Sequence, residues 1–361
     1  MNSRSKPATD TAALGDRFTD EVQRAFQRTV KGFDYLSAPE PTVGTTPKHV
    51  LHRRGTQQVT HYLPMTDELY RIPLLLIAPP SNHGYCFDMM PGQSVVEYLL
   101  KAGFDVYLLD WIAPRPEESK LQLDDYVLDF IPDAIARILK ETGESQVSLL
   151  GYCAGGLMAT CYAALAADGP LKNLICLTTP IDFEHLSLYR NLTDSRYFDV
   201  DRYIDGGNVS GEVFMIGTSI LRPVTRIADR IKLWDNMWND SYVKQYRMFD
   251  RWATDNLPLP GGYMRQLIKN LLVENQLLKG ELVLGRRQVR LPDITVPVLH
   301  AVAEHDHIVP RGASKPLIEM VSSDDKEELV LKGGHVSVVT GPNAIDRLWP
   351  KLENWLGQRS E

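Results

Sequence analysis

Short apolar runs alternate with helical patterns between residues 72 and 180, and this alternation constrains the fold more than any other feature of the chain. The runs are PLLLIAPP (73–80), DVYLLDW (105–111), VSLLGY (147–152) and LICLTTP (174–180). A run that is apolar throughout is typical of a parallel strand buried on both faces. Since helical patterns separate the runs, as in βαβ units, the sequence predicts an α/β protein with a mostly parallel sheet flanked by helices.

The alternation stops at Ile181, and residues 181–293 are instead rich in Trp, Tyr, Arg and Asn with helical patterns. Two further strand-like runs follow, VPVLHAVA (296–303) and ELVLK (328–332). An insertion at a surface loop costs little stability and is a common place for substrate selection. We therefore expect an N-terminal arm at 1–58, a core formed by 59–180 and 294–361, and an inserted, mainly helical cap at 181–293.

Composition and charge exclude several classes of protein. The chain has 361 residues, of which 43% are hydrophobic and 24% charged, so it is neither disordered nor fibrous. Its net charge of −7 argues against a general nucleic-acid binder. Four cysteines are too few for a disulfide scaffold, which favours a reducing compartment.

No targeting signal is visible, because the first residues are polar and lack the apolar stretch of a secretory signal. The uncharged segment 147–167 is long enough to span a bilayer, but it contains three glycines. It is better interpreted as a buried strand, a sharp turn and an apolar helix. We therefore expect a cytoplasmic protein without a transmembrane segment.

The segment GYCAGG (151–156) carries the strongest chemical signal. It follows a buried strand and opens a helical pattern, which is the context of the G-x-S-x-G turn with cysteine in place of serine. The nearby glycines suit a strained turn, and a helix N-terminus favours thiolate over thiol. The alternative is a small buried cysteine that packs beside glycines. We favour Cys153 as a nucleophile, with the amide N–H of Ala154 as an oxyanion donor.

The candidate partners of Cys153 follow it in the order acid, then base. Asp306 comes after the run at 296–303, and His335 comes after ELVLK through Gly333-Gly334. These are the positions at which an α/β-hydrolase fold carries its acid and its base. His335 would remove the Cys153 proton, and Asp306 would either orient the imidazole or act on a substrate hydroxyl. The sequence thus predicts a Cys–Asp–His triad on this fold.

The sequence indicates roles for other polar residues less strongly than for Cys153, Asp306 and His335. A backbone N–H at Ser81 or Asn82, in the loop after the first core strand, is the expected second oxyanion donor. The cluster His305-Asp306-His307 could suggest a metal, but on an extended strand end Asp306 would face away from both neighbours. We therefore expect no metal, and the lack of a Walker A loop or dinucleotide fingerprint predicts no bound cofactor. Cys161 and Cys176 are expected in the core.

Taken together, these stretches resemble the catalytic subunit of a polyhydroxyalkanoate synthase, closest to the short class III type, from about Ile72 to Leu356. The resemblance rests on NHGYCFDM, DVYLLDW with LDDY downstream, GYCAGG, TTPIDF, WDNMWND, LIKNLLVENQLLKGEL, AEHDHIVP and KGGHVSVVTG. It places the family's catalytic cysteine, aspartate and histidine at Cys153, Asp306 and His335. The chain departs from the usual family pattern at Ile112, where glycine is common, and in the residues that flank the cysteine.

The resemblance implies a reaction and a setting. A 3-hydroxyacyl group would pass from its coenzyme A thioester to Cys153, and the hydroxyl of another unit would then attack, lengthening a polyester and releasing coenzyme A. A homodimer, a second synthase subunit of the class III or class IV kind, and a location at the polyester granule surface are implied as well.

Two alternatives remain open at this point. A cysteine-dependent thioesterase or intracellular polyester depolymerase of the same fold would let water resolve the acyl-enzyme, although the cap stretches favour the synthase. A non-catalytic granule-associated subunit would have no need of an intact cysteine, aspartate and histidine.

Overall fold

The computed structural model describes residues 11–194, 196–204, 207–212 and 223–361. The strands within these residues are β1 (Lys48–Arg54), β2 (Gln57–Tyr62), β3 (Leu74–Ile77), β4 (Val106–Trp111), β5 (Val147–Tyr152), β6 (Leu171–Leu177), β7 (Val283–Leu284), β8 (Arg287–Gln288), β9 (Val298–Ala303) and β10 (Lys326–Leu331). Eight of them form one sheet in the order β1-β2-β4-β3-β5-β6-β9-β10, while β7 and β8 form a separate two-stranded ribbon.

The sheet is parallel from β4 through β10, and only β1 and β2 run antiparallel to their neighbours. Every residue of β3 and β5 is buried. Their sequences therefore show continuous apolar runs rather than alternation, as expected for strands covered on both faces. The predicted α/β-hydrolase fold, with its mostly parallel sheet and flanking helices, is confirmed.

Helices connect the parallel strands and fill the inserted region. The α-helices are α1 (Thr11–Ser37), α2 (Val95–Lys101), α3 (Leu123–Asp125), α4 (Ile131–Thr142), α5 (Ala154–Leu165), α6 (Ser187–Leu192), α7 (Val200–Tyr203), α8 (Pro223–Asp235), α9 (Asp240–Thr254), α10 (Gly261–Gln266), α11 (Gln276–Lys279), α12 (Arg311–Ser314), α13 (Pro316–Met320) and α14 (Trp349–Gly357). Stretches of π-helix link α3 to α4 (Tyr126–Phe130), follow α10 (Leu267–Val273) and precede α14 (Ala344–Leu348).

Local signals account for several helix boundaries. The Ser94 side chain accepts a hydrogen bond from the Glu97 N–H and so begins α2. Gly143, with φ 74°, ends α4 in a left-handed conformation that glycine adopts without steric cost. Helix α5 packs against β5 and β6, which places its N-terminus at the carboxyl edge of the sheet.

The sheet begins earlier in the chain than the sequence predicted. Strand β1 and the start of β2 lie within the predicted arm at 1–58, and they pair with each other from Lys48 to Tyr62. The boundary at residue 58 is therefore wrong for residues 48–58. Strand β1 gives no apolar run because it is an exposed edge strand with the sequence KHVLHRR, and charged side chains are a common protection of such edges.

The chain divides into two compact units. The smaller unit comprises Met1–Pro41 with Arg222–Arg251, and the larger comprises Thr42–Leu221 with Trp252–Glu361. The predicted cap at 181–293 is therefore shared between them rather than forming one body. Among the described helices, none combines the length and the apolar character that a bilayer span requires.

Candidate active site

Cys153 lies on a sharp turn between β5 and α5. Its backbone adopts φ 53° and ψ −120°, a conformation that residues other than glycine rarely occupy. The Cys153 N–H donates to the Leu177 carbonyl at 2.9 Å, which anchors the turn to β6. The thiol therefore stands at the N-terminus of a helix, where the backbone amides favour negative charge.

Two glycines make this turn possible. A Cβ on Gly155 would collide with the Ile77 carbonyl of β3. A Cβ on Gly151 would lie 2.5 Å from the Gly156 Cα. The first turn of α5 can therefore approach the central strands only because these positions have no side chain.

His335 and Asp306 meet beside this turn, as the chain order predicted. His335 Nδ1 lies 2.6 Å from Asp306 Oδ2, and both residues are buried. The other carboxylate oxygen of Asp306 accepts the N–H groups of Ile308 at 2.9 Å and Val309 at 2.8 Å. The Cys153 side chain lies close enough to His335 for its charge to act on the imidazole. The structure thus brings the three predicted residues into one connected arrangement.

The charge environment of His335 favours its protonated form. Burial lowers the pKa of His335, but the negative charge at Cys153, then that at Asp306, and the hydrogen bond to Asp306 outweigh it and raise this pKa to about 10. The Tyr152 ring also packs against the imidazole, with centroids 5.1 Å apart. The imidazole is therefore held in place, and its protonated form is favoured.

A cavity of about 270 Å³ lies against Cys153 and Ala154 in the larger unit. Its wall is mostly apolar and includes Leu157 from α5, Phe183 after β6, and Leu259 before α10. An apolar wall excludes water and suits an acyl chain.

Ser81 and Asn82, the two expected candidates for the second oxyanion donor, lie differently in the loop after β3. Ser81 lines the cavity together with Cys153 and Ala154. Asn82 instead donates its N–H to the Pro79 carbonyl at 3.3 Å.

The segment that follows α9 forms hydrogen bonds with this loop. The Leu257 N–H donates to the Ser81 carbonyl at 2.8 Å, and the Asn82 side chain donates to Asn256 Oδ1 at 3.0 Å. Asp110 accepts the Gly84 N–H at 2.7 Å, although burial raises the pKa of its carboxyl. Sequence reasoning assigned no role to Asp110 or Asn256, because only the folded chain shows what they contact.

The three remaining thiols are all buried. Cys161 and Cys176 are fully buried, as predicted, and burial raises their pKa values to about 12 and about 11. Cys86 is also buried, with a pKa raised by burial and by the Asp110 charge. These thiols therefore remain protonated near neutral pH.

His305 and Asp306 make different hydrogen bonds. The His305 N–H donates to the Gly333 carbonyl at 2.9 Å, whereas the Asp306 carboxylate is directed at His335 and at backbone amides. No cluster of three or more His, Cys, Asp or Glu side chains within the described ranges is placed to hold a metal ion.

Comparisons with known proteins agree with this fold. A family model described as alpha/beta hydrolase fold matches residues 80–342. The chain is similar to the crystal structure of a Paleococcus ferrophilus monoacylglycerol lipase, with a TM-score of 0.51 and 16% identity over 85% of this chain and 100% of that one. A carboxylesterase of Nitrososphaera gargenis gives a TM-score of 0.52 and 14% identity over 86% and 98%. At these identities the likeness concerns the fold alone.

The relatives found by sequence identify the family, whereas the structural neighbours identify only the fold. A second family model, described as Poly-beta-hydroxybutyrate polymerase (PhaC) N-terminus, matches residues 40–99. The poly(3-hydroxyalkanoate) polymerase subunit PhaC of Haloferax mediterranei is 31% identical over 98% of this chain and 73% of that protein. The PhaC subunit of Allochromatium vinosum is 31% identical over 95% of this chain and 98% of that protein. The chain therefore belongs to the PhaC family of poly(3-hydroxyalkanoate) polymerases, acyltransferases built on the α/β-hydrolase fold.

Proposed function

We propose that Cys153 carries the acyl group during polymerisation and that the substrate is a 3-hydroxyacyl-coenzyme A thioester, with no further cofactor. The observation that carries this proposal is the connected arrangement of Cys153, His335 and Asp306 against an apolar cavity. A thioester on cysteine stays as activated as the coenzyme A thioester, so the acyl group can still be passed on to a hydroxyl.

In the first step, the Cys153 thiolate attacks the thioester carbonyl while His335 is an imidazolium. The N–H groups of Ala154 and Ser81 are the proposed donors to the oxygen that becomes negative. When the bond between carbon and the coenzyme A sulfur breaks, His335 gives its proton to the leaving thiolate. Coenzyme A is released, and Cys153 holds the acyl group.

In the second step, a 3-hydroxyl group attacks the acyl-cysteine. Acylation removes the negative charge of Cys153, and with it one of the main effects that raise the pKa of His335. Neutral His335 can then accept the hydroxyl proton while the oxygen bonds to the acyl carbon. The bond to Cys153 breaks, which regenerates thiolate and imidazolium and leaves the polyester one unit longer.

Asp306 is proposed to act through His335. One of its carboxylate oxygens faces His335 Nδ1, and the other accepts two backbone N–H groups. This geometry supports the orienting role over direct activation of a substrate hydroxyl, which the sequence left as an alternative.

Proposals for partners and location follow from the same function. We propose a homodimer that works with a second synthase subunit at the polyester granule surface in the cytoplasm. Large apolar side chains on α1 support an association surface, since Phe26 and Phe33 are each 71% exposed and Leu36 is 82% exposed.

The test follows both products of the reaction. The tagged chain, purified from its native host so that any bound subunit accompanies it, is incubated with 3-hydroxybutyryl-coenzyme A. Cys153→Ala should abolish both thiol release and high-mass polyester, because no acyl-enzyme can form. Cys161→Ala is the matched control: it should keep activity and cost on the order of 1 kcal/mol of stability from a small cavity.

Two outcomes would contradict the proposal. Polyester synthesis by Cys153→Ala at the wild-type rate would exclude this cysteine as the acyl carrier. Thiol release by the wild type that yields only free 3-hydroxybutyrate would instead favour the thioesterase alternative.

A further inference from the structure

The Tyr263 hydroxyl is a buried polar group without a partner. Tyr263 is 2% exposed, and its hydroxyl has no hydrogen-bond partner among the described residues. The residue lines the cavity that also contacts Cys153. Because burying an unpaired hydroxyl costs free energy, such a group in a ligand cavity points to a ligand that supplies the acceptor.

The position of Tyr263 is fixed by packing. Its ring lies against the Tyr126 ring, with centroids 5.1 Å apart. The preceding Gly262 approaches the chain at Lys120 and Leu121 so closely that a Cβ would lie 2.7 Å from each of their carbonyl oxygens. The hydroxyl is therefore presented by a constrained side chain, which lowers the entropic cost of a hydrogen bond to a ligand.

Two other hydroxyls on the cavity wall, those of Ser81 and Thr193, already have acceptors. Ser81 Oγ donates to Asn82 Oδ1 at 2.9 Å, and Thr193 Oγ1 donates to the Tyr189 carbonyl at 2.9 Å. Burial and the nearby Cys153 charge raise the pKa of Tyr263, so the phenol stays protonated and can donate. Tyr263 thus differs from these two residues in that its hydroxyl has no acceptor among the described residues.

We propose that the Tyr263 hydroxyl donates a hydrogen bond to the oxygen at the 3-position of the acyl group on Cys153, either a free hydroxyl or the ester oxygen of a longer chain. Tyr263 would then be a specificity-determining residue that selects 3-oxygenated acyl groups over unsubstituted ones. The inference rests on the proposed role of Cys153. A site built to hydrogen-bond a substrate oxygen discriminates against an analogue that lacks it, because its own polar group is then left unpaired.

The test compares two thioesters that differ by one oxygen. Single-turnover acylation of Cys153 by 3-hydroxybutyryl-coenzyme A and by butyryl-coenzyme A is followed by intact-protein mass spectrometry in the wild type, Tyr263→Phe and Tyr62→Phe. The control is matched, because the Tyr62 hydroxyl is likewise buried and unpartnered among the described residues but does not line the cavity. Thermal unfolding of each variant shows whether it folds.

The wild type should acylate faster with the 3-hydroxy substrate, and Tyr263→Phe should reduce this preference by about tenfold or more. Tyr62→Phe should retain the wild-type preference. An unchanged preference in Tyr263→Phe, an equal slowing of both substrates, or no preference in the wild type would each overturn the inference. A wild type with no adduct on Cys153 would overturn the proposed function itself and the inference with it.

Discussion

Cys153 occupies a backbone conformation that its neighbours allow only by lacking side chains. This requirement was readable from the sequence, because the GYCAGG spacing already implies a strained turn. The order of Asp306 and His335 after their strands was equally readable. Tyr263 was not, because its significance depends on a missing partner and on a cavity wall that only the folded chain shows.

Gly155→Ala tests the turn directly. The added methyl would collide with the Ile77 carbonyl, a backbone atom of a central strand that cannot move independently. We expect a loss of about 1–3 kcal/mol or more in the free energy of unfolding, measured by urea denaturation. Gly207→Ala is the control, because a Cβ there meets no described atom within 4 Å. Equal stabilities of the two variants would show that the turn does not need glycine at 155.

The raised pKa of His335 predicts a pH dependence of stability. In the unfolded chain the pKa is about 6.5, whereas in the folded chain it is about 10. The folded state therefore binds one more proton between these values, and the stability from this interaction falls as pH rises through that range. The stability advantage of wild type over His335→Gln should be constant below pH about 6.5 and should shrink as pH approaches 10.

Urea titrations of both proteins at several pH values measure this difference. An advantage that grows with pH between 6.5 and 10 would mean that the folded pKa of His335 is lowered rather than raised.

At the scale of elements, the sequence predicted the central strands better than the edge. Strands such as β5 are buried on both faces and therefore appear in the sequence as apolar runs. Strand β1 is largely exposed and carries charged residues, so it gives no such run. The predicted cap at 181–293 is divided between the two compact units. Helical periodicity in 181–293 shows that helices form but carries no information about which unit each one joins.

The segment after α9 should contribute to catalysis by holding the loop that contains Ser81. Asn256→Ala removes the side-chain hydrogen bond to Asn82 and loosens the placement of the Ser81 N–H. We expect acylation by 3-hydroxybutyryl-coenzyme A to slow by about 10–100-fold, since small misplacements of oxyanion donors are costly. The free energy of unfolding should change little, so the slower acylation would not be a consequence of unfolding.

Asn354→Ala is the control for this change, because Asn354 is exposed and bonds only locally to Gln358 on the C-terminal helix. Equal acylation rates in the two variants would show that Asn256 does not position the loop.

At the scale of the whole molecule, two compact units have separate internal contacts. In the smaller unit, Arg247 donates to the carbonyls of Ala38 at 3.0 Å and Pro39 at 2.6 Å, and its guanidinium lies 5.5 Å from the centre of the Tyr35 ring. Lys31 Nζ pairs with Asp240 Oδ1 at 2.6 Å. These contacts tie the end of α1 to α9 within that unit.

Arg247→Ala should therefore loosen the end of α1 without unfolding the sheet. Loss of these charge-assisted hydrogen bonds should raise the rate of limited proteolysis near residues 35–41 by about tenfold, while cleavage within the sheet stays unchanged. Lys244→Ala, an exposed change on the same helix, is the control. If both variants are cleaved equally near residues 35–41, Arg247 does not anchor this segment.

The central claim is that Cys153, activated by His335, carries the growing acyl group. Its most direct test is peptide mass spectrometry after a single turnover of the natively purified chain with 3-hydroxybutyryl-coenzyme A. We predict a 3-hydroxybutyryl adduct on the peptide that contains Cys153, formed much more slowly in His335→Gln. Turnover that leaves Cys153 unmodified, with the adduct on Cys86, Cys161 or Cys176 instead, would contradict the account.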